Sequence, residues 1–171
     1  MRARPLGLAA LLAASALIGG CSAKLPDASD GTNVSPSAAA QFDRLLRECE
    51  TVTETQIKEA VGGDGYPESY FHGAVCMWKV PATGGMVDVT FAWFENGSLG
   101  HEQQTARELG YELTPMTVQG ATAFSQRRPG TPPACGVAAA WDGAITWWVQ
   151  GTADPCETAR TLMEFTLERT V

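Results

Sequence analysis

Apolar residues recur along this chain at two spacings, and the spacing changes mark its elements. Phe42, Leu45, Leu46 and Cys49 fall at i, i+3, i+4 and i+7, the stripe of a helix that Ser35 can cap and Pro36 can open. Thr53 and Gln56 form a T-x-x-Q capping box before Ile57, Ala60 and Val61, and Gly62-Gly63 ends that second, short helix. A loop is predicted from Gly63 to Gly73. A strand follows at Cys76–Val80, ended by Pro81. The spacing then becomes strictly two-fold: Val87, Val89, Phe91 and Trp93 share one face of a strand over Met86–Phe94. Asn96-Gly97 turns the chain. Ser98 caps a helix to Leu109, with Gly110 as its stop.

The second half repeats the alternation. Leu113–Val118 and Ala121–Gln126 read as a hairpin around Gln119-Gly120, and Arg127–Pro133 as a loop. Cys135–Trp141 and Ala144–Gly151 read as another hairpin, turned at Asp142-Gly143. Asp154, Pro155 and Glu157 form a helix start with a capping-box pattern. Ala159, Leu162, Met163 and Thr166 give that last helix one apolar face. The order predicts an α+β fold: a mostly antiparallel sheet with helices packed on it, in one domain over 35–171.

The N-terminus has a different pattern. Arg2 and Arg4 precede an apolar run from Leu6 to Ile18, and Gly19-Gly20-Cys21 follows. The run is too short to cross a hydrocarbon core of about 30 Å comfortably as a helix. Leu17-Ile18-Gly19-Gly20-Cys21 resembles the bacterial lipobox, which implies a lipoprotein signal peptide over 1–20 and a lipid on Cys21. Residues 21–34, rich in Ser, Ala, Asp, Gly, Asn and Pro, then read as the lipidated N-terminus and a flexible tether. The thirteen residues Ser22–Val34 would reach about 20 Å. The expected location is the outer face of the cell membrane, after export.

Charge and cysteine content fit that reading. The chain carries a net charge of −7; without Arg2 and Arg4, ten basic residues face nineteen acidic ones. Such a balance argues against a nucleic-acid partner. Beyond Cys21 there are four cysteines, an even number that suggests two disulfides, with three pairings open. Cys49 ends a helix and Cys76 opens a strand; Cys135 opens a strand and Cys156 lies in the first turn of a helix. The repeated arrangement favours Cys49–Cys76 and Cys135–Cys156. No C-x-x-C spacing occurs and only His72 and His101 are present, so no metal site is expected.

Several short segments then carry a resemblance: Phe42 to Cys49, Val75-Cys76-Met77-Trp78, Phe91-Ala92-Trp93-Phe94, Gly100 with Glu102, Ala134-Cys135-Gly136-Val137, and Pro155-Cys156 with Ala159. In this order they resemble the small actinobacterial lipoproteins of the LprB/LprC type, a domain family of unknown function. The resemblance implies an envelope-anchored domain and supplies no catalytic residue.

The residues themselves offer little catalytic chemistry. Neither histidine accompanies a G-x-S-x-G nucleophile elbow, no phosphate-binding glycine loop occurs, and Asp64 lacks the further ligands of a calcium loop. No cofactor is expected, and a hydrolase is the remote alternative. The tryptophans say more. Trp147 and Trp148 are adjacent on a strand and must point to opposite faces. Trp148 shares its face with Thr146 and Gln150, which makes these three a candidate contact face; burial of Trp148 beneath Leu162 and Met163 of the last helix is the competing expectation. The expected function is therefore a non-catalytic binding or accessory module. Its partners would be the membrane, through the lipid, and a hydrophobic small molecule or an envelope protein. A purely structural envelope lipoprotein is the alternative.

The N-terminal reading has a direct check. Metabolic labelling with an alkyne fatty acid is expected to mark the wild-type chain and to leave Cys21→Ser unlabelled and released from the membrane. Equal labelling of the two would refute it.

Overall fold

The computed structural model describes residues 48–72 and 75–168. The expectations for the signal peptide, Cys21, the tether and most of the helix around Phe42 lie outside these residues. Cys49 is carried by a single 3-10 turn, Glu48–Glu50. Helix α1 is Glu54–Val61, strand β1 Glu68–His72, β2 Val75–Ala82 and β3 Gly85–Phe94. Helix α2, Leu99–Glu108, is followed by β4 Glu112–Val118, β5 Ala121–Arg128, β6 Ala134–Ala140, β7 Ala144–Gln150 and helix α3, Pro155–Glu168.

The seven strands form one sheet in the order β1-β2-β3-β7-β6-β5-β4. Every pairing is antiparallel. The fold is thus two meanders, β1-β2-β3 and β4-β5-β6-β7, joined where β3 pairs with β7. The α+β class and the antiparallel sheet are as the spacing predicts.

One face of the sheet holds the main core. Cys76, Trp78 and Val80 of β2, Val87, Val89 and Phe91 of β3, Ile145, Trp147 and Val149 of β7, and Val137 and Ala139 of β6 are buried there with Ile57, Val61, Ala159, Leu162 and Met163. These last five belong to α1 and α3, so both helices cover this face. Trp147 is the centre of the core. Its ring lies 4.7 Å from that of Phe91 and 5.7 Å from that of Trp78. Its buried indole N–H donates to Thr166 Oγ1 of α3 at 2.8 Å, and Thr166 donates in turn to the Leu162 carbonyl. Burial of so large an amphipathic ring requires this partner, because an unpaired buried donor is costly.

Two disulfides pin helical turns to the same face. Cys49 joins Cys76 and Cys135 joins Cys156, with Cα–Cα separations of 5.6 and 4.9 Å. The pairing is the one expected from the repeated helix-to-strand arrangement. The bridged residues are 27 and 21 apart in sequence; closing loops of that size is worth about 3–4 kcal/mol each in the chain-entropy account.

Local signals set most element ends. The Thr53 hydroxyl accepts from the Gln56 N–H and the Gln56 side chain accepts from the Thr53 N–H, a closed capping box, and Gly62 ends α1 in the left-handed region. Ser98 caps α2. At Asp142-Gly143 the β6–β7 turn passes so close to Phe94 and Glu95 that a Cβ on Gly143 would fall 2.3 Å from the Phe94 carbonyl oxygen.

Four expectations need correction. The loop predicted from Gly63 to Gly73 contains β1, whose five residues are all exposed. An edge strand with neither face buried leaves no alternation to read. Strand β2 does not end at Pro81 but continues to Ala82, with Pro81 opposite Met86. Pro81 lies beyond the last β1 partner, Lys79, so its missing N–H interrupts no ladder on that side. The predicted loop at Arg127 starts two residues later, because Arg127 and Arg128 pair with Cys135 and Ala134. Asp154 does accept from the Glu157 N–H, but the Glu157 carboxylate does not close a capping box. It pairs with Arg160, which also holds Glu164. A guanidinium one turn away is the stronger partner, and it holds the Glu157 carboxyl below its usual range.

The tryptophan–threonine bond predicts a specific loss. Thr166→Val keeps the side-chain shape but strands the Trp147 N–H in the core. Chemical denaturation should show a loss of about 1–3 kcal/mol. An unchanged midpoint would show that this bond does not hold α3 to the sheet.

Candidate functional site

The second face of the sheet is covered by a helix over only part of its width. Helix α2 is the crossover from β3, in the middle of the sheet, to β4, at its far edge. Its Ala106 packs on Phe124 of β5 and Ala138 of β6, with Leu99, Tyr111 and Leu113 around them. The polar remainder of α2 faces outward. Over β1, β2 and β3 the second face carries no helix among the described residues.

The register lays this face out in rows across the strands. One row reads Tyr70, Met77, Thr90, Trp148, Gly136 and Gln126 from β1 to β5. The next, toward the rim, reads Glu68, Lys79, Asp88, Gln150, Ala134 and Arg128. The first row is aromatic and apolar with polar interruptions; the second alternates in charge. Lys79 Nζ stands 3.9 Å from an Asp88 carboxylate oxygen, and Arg128 donates to the side-chain amide oxygen of Gln150, Oε1. At the open end, the Tyr70 hydroxyl donates to Glu68 at 2.7 Å, which holds the phenol above its usual pKa.

Trp148 sits at the border between the covered and open parts. It lies over Gly136 of the neighbouring strand: a Cβ there would fall 2.7 Å from Trp148 Cε2 and 2.8 Å from Cδ2. Gly136 therefore exists as the seat for this ring. Tyr111, the last of three residues linking α2 to β4, stands at 71° to it with ring centroids 5.5 Å apart, so the two rings form a corner. Gly110 enables this, because its left-handed φ of 75° ends α2 and turns the chain onto the sheet.

Two cavities open on this face. One, of about 220 Å³, is lined by Trp148, Tyr111, Asp88, Thr90, Gln150 and Arg128, among others. The other, of about 430 Å³, lies beside it over β1 and β2 and includes Tyr70, His72, Met77 and Lys79. Asp88 and Thr90 line both.

Of the candidate contact residues, the structure brings Trp148 and Gln150 to one cavity, and both are half-buried. Thr146 is different. It is 3 % exposed, and its buried hydroxyl has no hydrogen-bond partner among the described residues. It pairs with Ala92 and Ala138 in the row nearer α2, so it lies beneath the surface and is not a contact residue. The expectation that Leu162 and Met163 bury Trp148 is also corrected: they pack with Trp147 on the opposite face.

Sequence reasoning missed the other half of the site. Asp88 and Thr90 were visible as the polar face of β3, yet their meeting with Trp148 depends on the β3–β7 register. Tyr111 and Arg128 carry no pattern of their own. Both histidines are exposed, and no group of three metal-ligating side chains occurs among the described residues.

A half-covered antiparallel sheet with an aromatic corner and two adjoining cavities defines this as an α+β domain with a ligand-sized recess on one face. The chain belongs to the family described as "Protein of unknown function (DUF3558)", which matches residues 16–169. No curated protein and no solved structure matches it.

The seat of Trp148 can be tested directly. Gly136→Ala should lift the ring, costing about 1–3 kcal/mol as an overpacked contact. The fluorescence difference between Gly136→Ala and Gly136→Ala/Trp148→Phe should shift to the red, and its acrylamide quenching should rise, relative to the same difference on the Gly136 background. Identical quenching would mean that Gly136 does not seat the ring.

Proposed function

We propose that this chain is an exported lipoprotein, anchored through Cys21, whose domain is a non-catalytic binding module working through the open part of its second sheet face. The observation that carries the reading is the aromatic corner of Trp148 and Tyr111 above a cavity that no helix closes among the described residues. Tryptophan has much area to hide, and a half-buried one held in place by a glycine seat is a feature of contact surfaces. Tyr70, 44 % exposed at the end of the same row, extends the apolar surface.

The anchoring part of the proposal rests on the signal-like N-terminus, the lipobox resemblance and the likeness to lipoproteins of the LprB/LprC type. Two disulfides support an exported location, since such bonds persist in oxidising surroundings. The occupant of the face is a small molecule or another envelope component.

Photo-crosslinking in living cells tests the reading. A benzophenone side chain at Tyr70, on the open face, should give discrete adducts. The same group at Tyr66, which is 93 % exposed and lies against Lys58 of α1, should not. Equal yields at both positions, or none at either, would argue for a purely structural lipoprotein.

A further inference from the structure

We infer that the recess beside Trp148 is a saccharide site, in which a neutral sugar ring packs into the Trp148–Tyr111 corner and a second ring extends toward Tyr70. This rests on the reading of the open face as a binding surface and names its ligand class.

The inference comes from what the recess offers. Its rings stand at 71° to one another, giving a floor and a wall for the C–H faces of a pyranose. Around them the hydrogen-bonding groups are largely unspent. The Trp148 N–H, the Thr90 hydroxyl and the Tyr111 hydroxyl make no hydrogen bond among the described residues, whereas the indole N–H groups of Trp93 and Trp147 are both satisfied. Gln150 uses its side-chain amide oxygen on Arg128, which leaves its amide N–H groups to donate. Asp88 contributes a carboxylate acceptor, with the Lys79 ammonium 3.9 Å away.

This set selects among ligands. Donors, acceptors and two-way hydroxyls alternate within one small volume, and the charges of Asp88 and Arg128 oppose each other. An anion would meet Asp88 and a cation would meet Arg128. An acyl chain would desolvate all six groups and satisfy none, a heavy cost for buried polar atoms. Sugar hydroxyls both donate and accept, so each can meet either kind of partner. The volume agrees: about 220 Å³ is below the range of about 300–1,000 Å³ typical of drug-sized ligands, so it suits a single ring. The adjoining cavity of about 430 Å³ shares Asp88 and Thr90, and its Met77 and Tyr70 continue the row from Trp148. A linear saccharide can therefore run from one into the other. Tyr70 is three strands from Trp148, or about 14 Å at the usual spacing.

The test uses the chain purified from membranes into lipid nanodiscs. Saturation-transfer NMR is run with cellotetraose, mannotetraose, maltotetraose and chitotetraose, and separately with lauric acid. At least one tetrasaccharide should receive saturation, strongest on its ring C–H protons. Trp148→Ala should weaken that binding by about tenfold or more. Gln150→Leu and Thr90→Val, which change only half-buried side chains, should each weaken it while leaving the thermal midpoint in place, so a folding defect in Trp148→Ala would not obscure the result. If no tetrasaccharide binds but lauric acid shifts the Trp148 indole resonance, the saccharide class is overturned and the binding face stands. If a tetrasaccharide binds equally to all three variants, the placement at this recess is overturned. If nothing binds and Tyr70 yields no crosslinks in cells, both readings fall.

Discussion

The pairing of β3 with β7 is the constraint on which the rest of the structure depends. It runs through seven residues, from Asp88 opposite Gln150 to Phe94 opposite Ala144, and it alone joins the two meanders into one sheet. On one face it places Phe91 beside Trp147, which anchors the core and, through Thr166, the last helix. On the other it places Thr90 beside Trp148 and Asp88 beside Gln150. A slip of one residue would exchange the two tryptophans between core and surface. Core and recess are thus two sides of one register.

The asymmetry of the sheet follows from chain path. Both α1 and α3 pack on the Trp147 face, each tied there by a disulfide at or near its start: Cys49–Cys76 just before α1 and Cys135–Cys156 in α3. Among the described residues only α2 reaches the other face. Because β3 is central and β4 is at the far edge, the connecting segment must cross β7, β6 and β5. Its helix covers what it crosses, and no described helix covers β1, β2 and β3 on this face. The ten-residue α2 contributes only Ala106 as a buried residue, so it covers its part lightly and stops at Gly110, which turns Tyr111 onto Trp148. Among the described residues one helix shields a face wide enough for two, which leaves the recess open.

Rows of side chains on this face also explain why the recess mixes chemistry. Strand β3 alternates strictly, so its polar residues Asp88 and Thr90 all point away from the core. Beside them β7 presents Trp148 and Gln150, and β5 presents Arg128. A face that met only solvent would not hold a tryptophan in a seat fitted by a glycine. A second core would not carry Asp88 and Arg128. The combination is the one on which the proposed binding face rests.

What the sequence determined was most of what is written in local periodicity and short-range chemistry. The alternation in Met86–Phe94, the turns at Gln119-Gly120 and Asp142-Gly143, the Thr53–Gln56 box and the stop at Gly110 each specify backbone through neighbouring residues, and each is realised within a residue or two. The adjacency of Trp147 and Trp148 already required that they point to opposite faces, because side chains alternate along a strand, but not that either leave the core. Strand β1 was not legible, since an edge strand exposed on both faces leaves no hydrophobic signature. Nor was Thr146 beneath the surface: strand parity gives the face a side chain is on, but not whether a crossing helix covers it. The tertiary structure alone decided which tryptophan was left out, what lies beside it and how it is held. Those outcomes depend on the order and register of strands far apart in sequence, where the free energy comes from burying Phe91, Trp78 and Trp147 together, and no local pattern carries that information.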